Sequence, residues 1–217
     1  MPFGLSYSPK EMKAVKKHIA KYFGKNDYVL HSFDPSEPHV DIIIIPPQEK
    51  RPFYTLVTLG MGALYMNLPE EVMSCVCPRA ELLLYLPADW KLDEESIKKG
   101  PYGWPISCLH NIALLPSMTD SWLTVGHSIS SGTTEPIAPG VRFNSVLLLP
   151  PNEPDDAYMA EIPGEIPVVF YQLYPLYPEE HEFALTHNSQ ELMARIFQQP
   201  DTIINPSRPV MTLPTEE

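Results

Sequence analysis

The segment His39-Val40-Asp41-Ile42-Ile43-Ile44-Ile45-Pro46-Pro47 decides the fold class. Four consecutive β-branched residues favour an extended chain. Alternation places Val40, Ile42 and Ile44 on one side and His39, Asp41, Ile43 and Ile45 on the other, so both sides carry apolar groups. A strand of that kind lies inside a sheet covered on both faces. Proline has no N–H for a sheet ladder, and the Pro46-Pro47 pair closes the strand.

The same pattern recurs outward from this segment. Residues 53–59 and 81–86 read as similar strands, and 28–33 as a weaker one. Upstream, Ser8-Pro9-Lys10-Glu11 has capping-box spacing with proline at the first helical position. Met12, Val15, Ile19 and Tyr22 follow at helical spacing and Gly24 ends the run, which predicts a helix over 9–23. Downstream, 60–78 is rich in Met, Gly and Pro and predicts a short helix or a surface loop. Helical turns are expected over 93–99, 105–115, 178–187 and 189–198, and strands over 122–129, 141–149 and 166–173. Residues 130–140 and 150–164 read as exposed polar connections. No repeat or composition break divides the chain. It reads as a single domain over 1–217, with a core about 28–200 and a Pro-rich tail over 200–217. The expected class is α+β: a mixed, mainly antiparallel central sheet flanked by helices.

Composition narrows the function. A chain of 217 residues with 44% hydrophobic and 19% charged residues is globular. A formal charge of -12 repels phosphate backbones, which argues against nucleic acid and for a basic or neutral protein partner. The N-terminal residues have no signal-peptide pattern, the longest apolar runs are too short for a bilayer, and three cysteines are too few for a disulfide framework. The expectation is a cytoplasmic protein, monomer or weak homodimer, without membrane contact, cofactor or metal.

Each enzyme-like motif is incomplete. Gly60-Met61-Gly62 opens like a dinucleotide loop, but Tyr65 stands where the third glycine belongs. Gly126-His127-Ser128-Ile129-Ser130 lacks the last glycine of a nucleophile elbow, and His127 shares an expected strand face with Leu123, Val125 and Ile129. Cys75-x-Cys77 and Cys108-x-His110 offer four zinc-type ligands, but the second pair points to opposite sides of its expected helix. His39-x-Asp41 puts an imidazole and a carboxylate on one strand face, either a hydrogen-bonded pair or half of a metal or acid–base site. A hydrolase or metal-dependent enzyme built on His39, Asp41 and His127 is the alternative reading. Pro178-Glu179-Glu180 suits a helix N-terminus, and Tyr174-Pro175-Leu176-Tyr177 before it reads as a recognition surface. Trp90, Trp104 and Trp122 are further anchor candidates.

Taken in order, these blocks resemble the Suppressor of Fused domain: His39 to Ile44, Tyr54 to Met61, Ala80-Glu81-Leu82 through Trp90, Trp104-Pro105-Ile106, Trp122-Leu123 with Gly126-His127-Ser128, Leu173 to Glu180, and the late Arg208. The resemblance spans about residues 28 to 208 and is to the short bacterial members. It implies a mixed α/β domain that binds another polypeptide rather than an enzyme, gripping an extended segment as an added strand. It also implies kinship with immunity proteins that neutralise toxins, and a basic toxin would suit so acidic a chain. The partner-contact positions carried over are Tyr174, Tyr177, Glu179 and Glu180. His39, Asp41, Trp90, Trp104 and His127 are motif positions to which the resemblance gives no role.

Overall fold

The computed structural model describes residues 6–26, 28–31, 37–130, 132 and 135–211. Eight strands form one mixed sheet: β1 (Tyr28–Leu30), β2 (Asp41–Ile45), β3 (Phe53–Leu59), β4 (Ala80–Pro87), β5 (Ser128–Ser130), β6 (Ser145–Leu149), β7 (Met159–Ala160) and β8 (Val168–Leu176). Their order is β1-β2-β3-β4-β8-β6-β5, with β7 also pairing β8. Only β4 against β8 is parallel. The mixed, mainly antiparallel sheet is the architecture expected from sequence.

The alternation of the deciding segment separates two cores. Val40, Ile42 and Ile44 enter one cluster with Leu82, Leu84, Leu109 and Tyr171, beneath helix α3 (Trp104–Thr119). Ile43 and Ile45 enter another with Val15, Ile19, Phe23 and Phe170, beneath helix α1 (Pro9–Tyr22). Helix α2 (Glu94–Lys99), capped by Asp93, lies between β4 and α3 in sequence. Helices α4 (Pro178–Phe183) and α5 (Ser189–Ile196), joined by a π turn, cover a third cluster with Leu147, Leu149, Tyr174 and Leu176.

Several boundaries differ from the expectation. β2 starts at Asp41, so His39 and Val40 lead into it. β1 ends at Leu30, with His31 beyond it, and the rest of its expected extension, 32–33, lies outside the described residues. α3 runs on to Thr119 through Pro116, whose buried ring continues the helix's packed face. Most of 122–129 is not strand, because Gly126 turns the chain at φ +87° and regular pairing begins at Ser128. β8 runs over Val168–Leu176, past the expected end at residue 173. Asn144 N–H donates to Leu176 O on the β6 side, so Pro175 faces the opposite side, where β4 no longer pairs and no ladder donor is missed. The tail past 200 is not loose. Thr202 bonds the buried Gln172 side chain, Ile204 N–H donates to Tyr85 O at 2.9 Å, and both tail residues are buried. They bridge the fork where β4 and β8 part. The tail's last six positions, 212–217, lie outside the described residues.

The Gly60-Met61-Gly62 turn holds an anion after all, and the anion is the protein's own. Both glycine N–H groups donate to Oε1 of Glu81, at 2.8 and 3.1 Å, joined there by the Tyr7 hydroxyl at 2.6 Å, while the Thr58 hydroxyl donates to Oε2 at 2.5 Å. Gly60 sits at φ +131°, and a Cβ there would collide with the carbonyl oxygen of His39. Beside it, Arg79 ties Gly62 O, Ile166 O and the capping Glu11 of α1 together, fastening that helix to the sheet. Burial holds the Glu81 carboxyl above its usual range despite these donors. The folded chain therefore holds that proton to higher pH than the unfolded chain. The resulting stability is complete below the unfolded value of about 4.3 and is lost as pH rises through the folded value. Urea unfolding across acidic and neutral pH checks this: wild type gains most over Glu81→Gln in acid, and the gap narrows as pH rises.

Candidate functional site

The motif residues sort into three places. The first is a chain of rings through the core beneath α3. Tyr102 meets Trp90 edge-on at 5.4 Å, Trp90 meets Trp104 at 6.2 Å, Trp104 meets Phe143 at 6.1 Å, and Phe143 meets Tyr177 at 4.8 Å. Such offset pairs add modestly to the area they bury. Arg208 ends the chain, its guanidinium 4.6 Å from the Tyr177 ring, 5.1 Å from Tyr174 and 5.5 Å from Phe143. Both of its terminal nitrogens donate to the Glu180 carboxylate at 2.6 Å, and Nη2 also donates to Pro175 O. Glu180 additionally accepts from the N–H groups of Tyr177 and Met211, while the Tyr177 hydroxyl donates to Arg208 O at 2.6 Å.

This placement corrects the expected recognition surface. Tyr174, Tyr177 and Glu180 are buried, and among the four carried-over positions only Glu179 is exposed, beside Arg142 at 3.4 Å. The reason is register. Tyr174 lies within β8 rather than after it, and the C-terminal segment closes over Tyr177 and Glu180. These residues brace a surface; they do not present one.

The second place is the opposite wall of the ring chain. Trp104, Ser107, Cys108, Asn111, Ile112 and Leu115 of α3 face Ile129 and Ser130 of β5, Val146 of β6 and the 136–139 turn across an open groove of about 470 Å³. Trp104 is buried, and its Nε1–H has no hydrogen-bond partner among the described residues. Buried donors seldom go unpaired. β5 ends the sheet, and Leu148 N–H bonds His127 O, so the alternation turns the backbone groups of Ser128 and Ser130 outward. Burial pushes the Cys108 thiol up to about 12, which keeps it protonated and unreactive. The sequence reading singled out Trp104 but missed the groove. Its signal was the surplus of apolar residues around α3, where Cys108, Ile112 and Leu115 form a stripe beside the buried face.

The third place is the edge at β1 and β2, where His39 and Asp41 are joined by His31, which no motif had flagged. His127 is not with them. It packs edge-on against Trp122 at 4.5 Å, and burial holds its imidazole below the usual range. It lies five strand spacings from β2, roughly 24 Å across the sheet. His39, Asp41 and His127 therefore cannot act on one substrate. Cys77 bonds to Arg79 O and Pro167 O, while Cys75 is exposed.

Comparison with known proteins fits this layout. The family model described as Suppressor of fused protein (SUFU) matches residues 36–209. The chain belongs to the Suppressor of Fused family. The solved structure of a SUFU homologue from Neisseria gonorrhoeae FA 1090 superposes with a TM-score of 0.67 at 15% identity, covering 94% of this chain and 98% of the other. The structure of the Sufu-Fu complex gives 0.63 at 16% identity, with 92% and 91% covered. Drosophila Suppressor of Fused gives 0.64 at 16% identity over 94% of this chain, which spans 52% of the fly protein's chain. At these identities the likeness is one of fold. No curated protein matches by sequence. Among the described residues no helix is long and apolar enough to cross a membrane. Within this family fold, Arg208 fastens the C-terminal segment to the ring chain. Removing one partner of a buried ion pair costs about 3–5 kcal/mol. Arg208→Met is expected to lower the urea-unfolding free energy by that order, and the Arg208→Met/Glu180→Gln double variant to cost less than the two single changes summed.

Proposed function

We propose that the protein is a non-enzymatic binding module that grips an extended segment of a partner protein along the outer edge of β5. Backbone groups of Ser128 and Ser130 pair with the segment, and alternate side chains enter the groove under α3. The observation that carries this reading is the juxtaposition of an end-of-sheet strand and a largely apolar groove beside it. The formal charge of -12 suits basic flanks on the bound segment, and a basic toxin neutralised by an acidic immunity-type partner is the biological setting we favour. A family relative crystallised as a Sufu-Fu complex supports partner binding as the mode. The braced positions Tyr174, Tyr177 and Glu180 hold the groove's rear wall through Phe143 and Trp104, while Glu179 remains at the surface.

Selection from a random-peptide library on the purified chain tests this. Enriched peptides should alternate apolar anchors with polar residues and carry basic flanks. Ser130→Pro, which removes one outward N–H, and Asn111→Trp, which fills the groove from an exposed lining position, should each weaken their binding at least tenfold while leaving the unfolding midpoint near wild type. Binding that is indifferent to both changes would remove the groove from consideration.

A further inference from the structure

We propose that His31, His39 and Asp41 form a binding site for one borderline divalent metal ion of the zinc class. The three come from the paired edge strands. β1 and β2 run antiparallel with Leu30 opposite Ile42, so His31, one residue on, falls opposite Asp41. His39 stands two residues before Asp41 and therefore on the same face. Oδ2 of Asp41 lies 3.2 Å from Nδ1 of His31, and Oδ1 lies 3.0 Å from Nε2 of His39. All three ligand atoms fall within 4.8 Å of one another.

Those spacings suit a shared ion. Ligands held about 2.0–2.2 Å from zinc at tetrahedral angles stand roughly 3.3 Å apart, so small ring rotations would complete the set. Two imidazoles and a carboxylate favour zinc, cobalt, nickel or copper over calcium or magnesium, which prefer all-oxygen shells. The scaffold is also held in place. Asp41 pairs with Leu59 in the ladder, and the His39 backbone is packed against Gly60, whose N–H is engaged by Glu81. The Asp41 side chain is only 13% exposed, whereas those of His31 and His39 are 58% and 53% exposed. An ion there would have its protein ligands on one side and open positions toward solvent. It would staple the three-residue strand β1 to β2, far from the groove under α3, so this site stands or falls separately from the binding function.

The test uses the untagged full chain, freed of metal by chelator, titrated with zinc by calorimetry and with cobalt by visible absorption. The expected result is one ion per chain at micromolar or tighter affinity, cobalt bands characteristic of nitrogen and oxygen ligands, and a zinc-dependent rise in the unfolding midpoint. His31→Ala and His39→Asn should each weaken binding at least tenfold, and His110→Ala should leave it unchanged. Unfolding of each variant without metal reports whether it folds, and His31→Ala alone suffices if His39→Asn does not. Absence of stoichiometric binding, or binding that survives His31→Ala, would overturn the proposal and leave a hydrogen-bonded His-Asp-His cluster.

Discussion

A buried guanidinium–carboxylate pair, Arg208 with Glu180, is the constraint on which the rest of the architecture turns. Glu180 is wholly buried and would be costly to leave unpaired. Arg208 answers it with two donors and a third to Pro175 O, which drags the C-terminal segment back across the fork between β4 and β8. The same guanidinium lies against Tyr174, Tyr177 and Phe143. Through Phe143 the restraint reaches Trp104, a wall of the groove. A proline in β8 and an extended tail thus become parts of one packed unit instead of defects in a sheet.

The sheet divides its work by position. Its two faces are filled by separate cores, one under α1 and one under α3. Near the middle, a second buried carboxylate, Glu81, closes the Gly60–Gly62 turn and, with Arg79, fastens α1. The two ends of the sheet carry the remaining polar and open features. β1 and β2 bring His31, His39 and Asp41 together, while β5 offers an open backbone edge beside an apolar groove.

The central elements were legible in the sequence because their pattern is local. Alternation over Val40–Ile45 assigned the two faces correctly, and the strand over Phe53–Leu59 agrees in both bounds. The capping box at Ser8 and Glu11 forms as its spacing implied. What misled was information carried by distant segments. The expected strand stopped short at residue 173, since whether Pro175 interrupts a ladder depends on where β4 stops pairing. Tyr174, Tyr177 and Glu180 looked like a recognition surface because nothing near them in sequence shows that residues 206–211 return to cover them. Arg79, just before β4, and Glu81, the one charge within that otherwise apolar strand, did carry a readable sign: buried charges demand partners. His31 carried none, since its meeting with Asp41 depends on the β1–β2 register.

The central claim is that β5 and the groove beneath α3 receive an extended polypeptide. Amide hydrogen exchange of the chain with and without a saturating library-selected peptide tests it most directly. The account predicts that the largest gain in protection falls at Ser128 and Ser130, with a smaller gain along the groove-facing part of α3. Protection concentrated elsewhere, with the β5 amides exchanging as they do in the free chain, would contradict it.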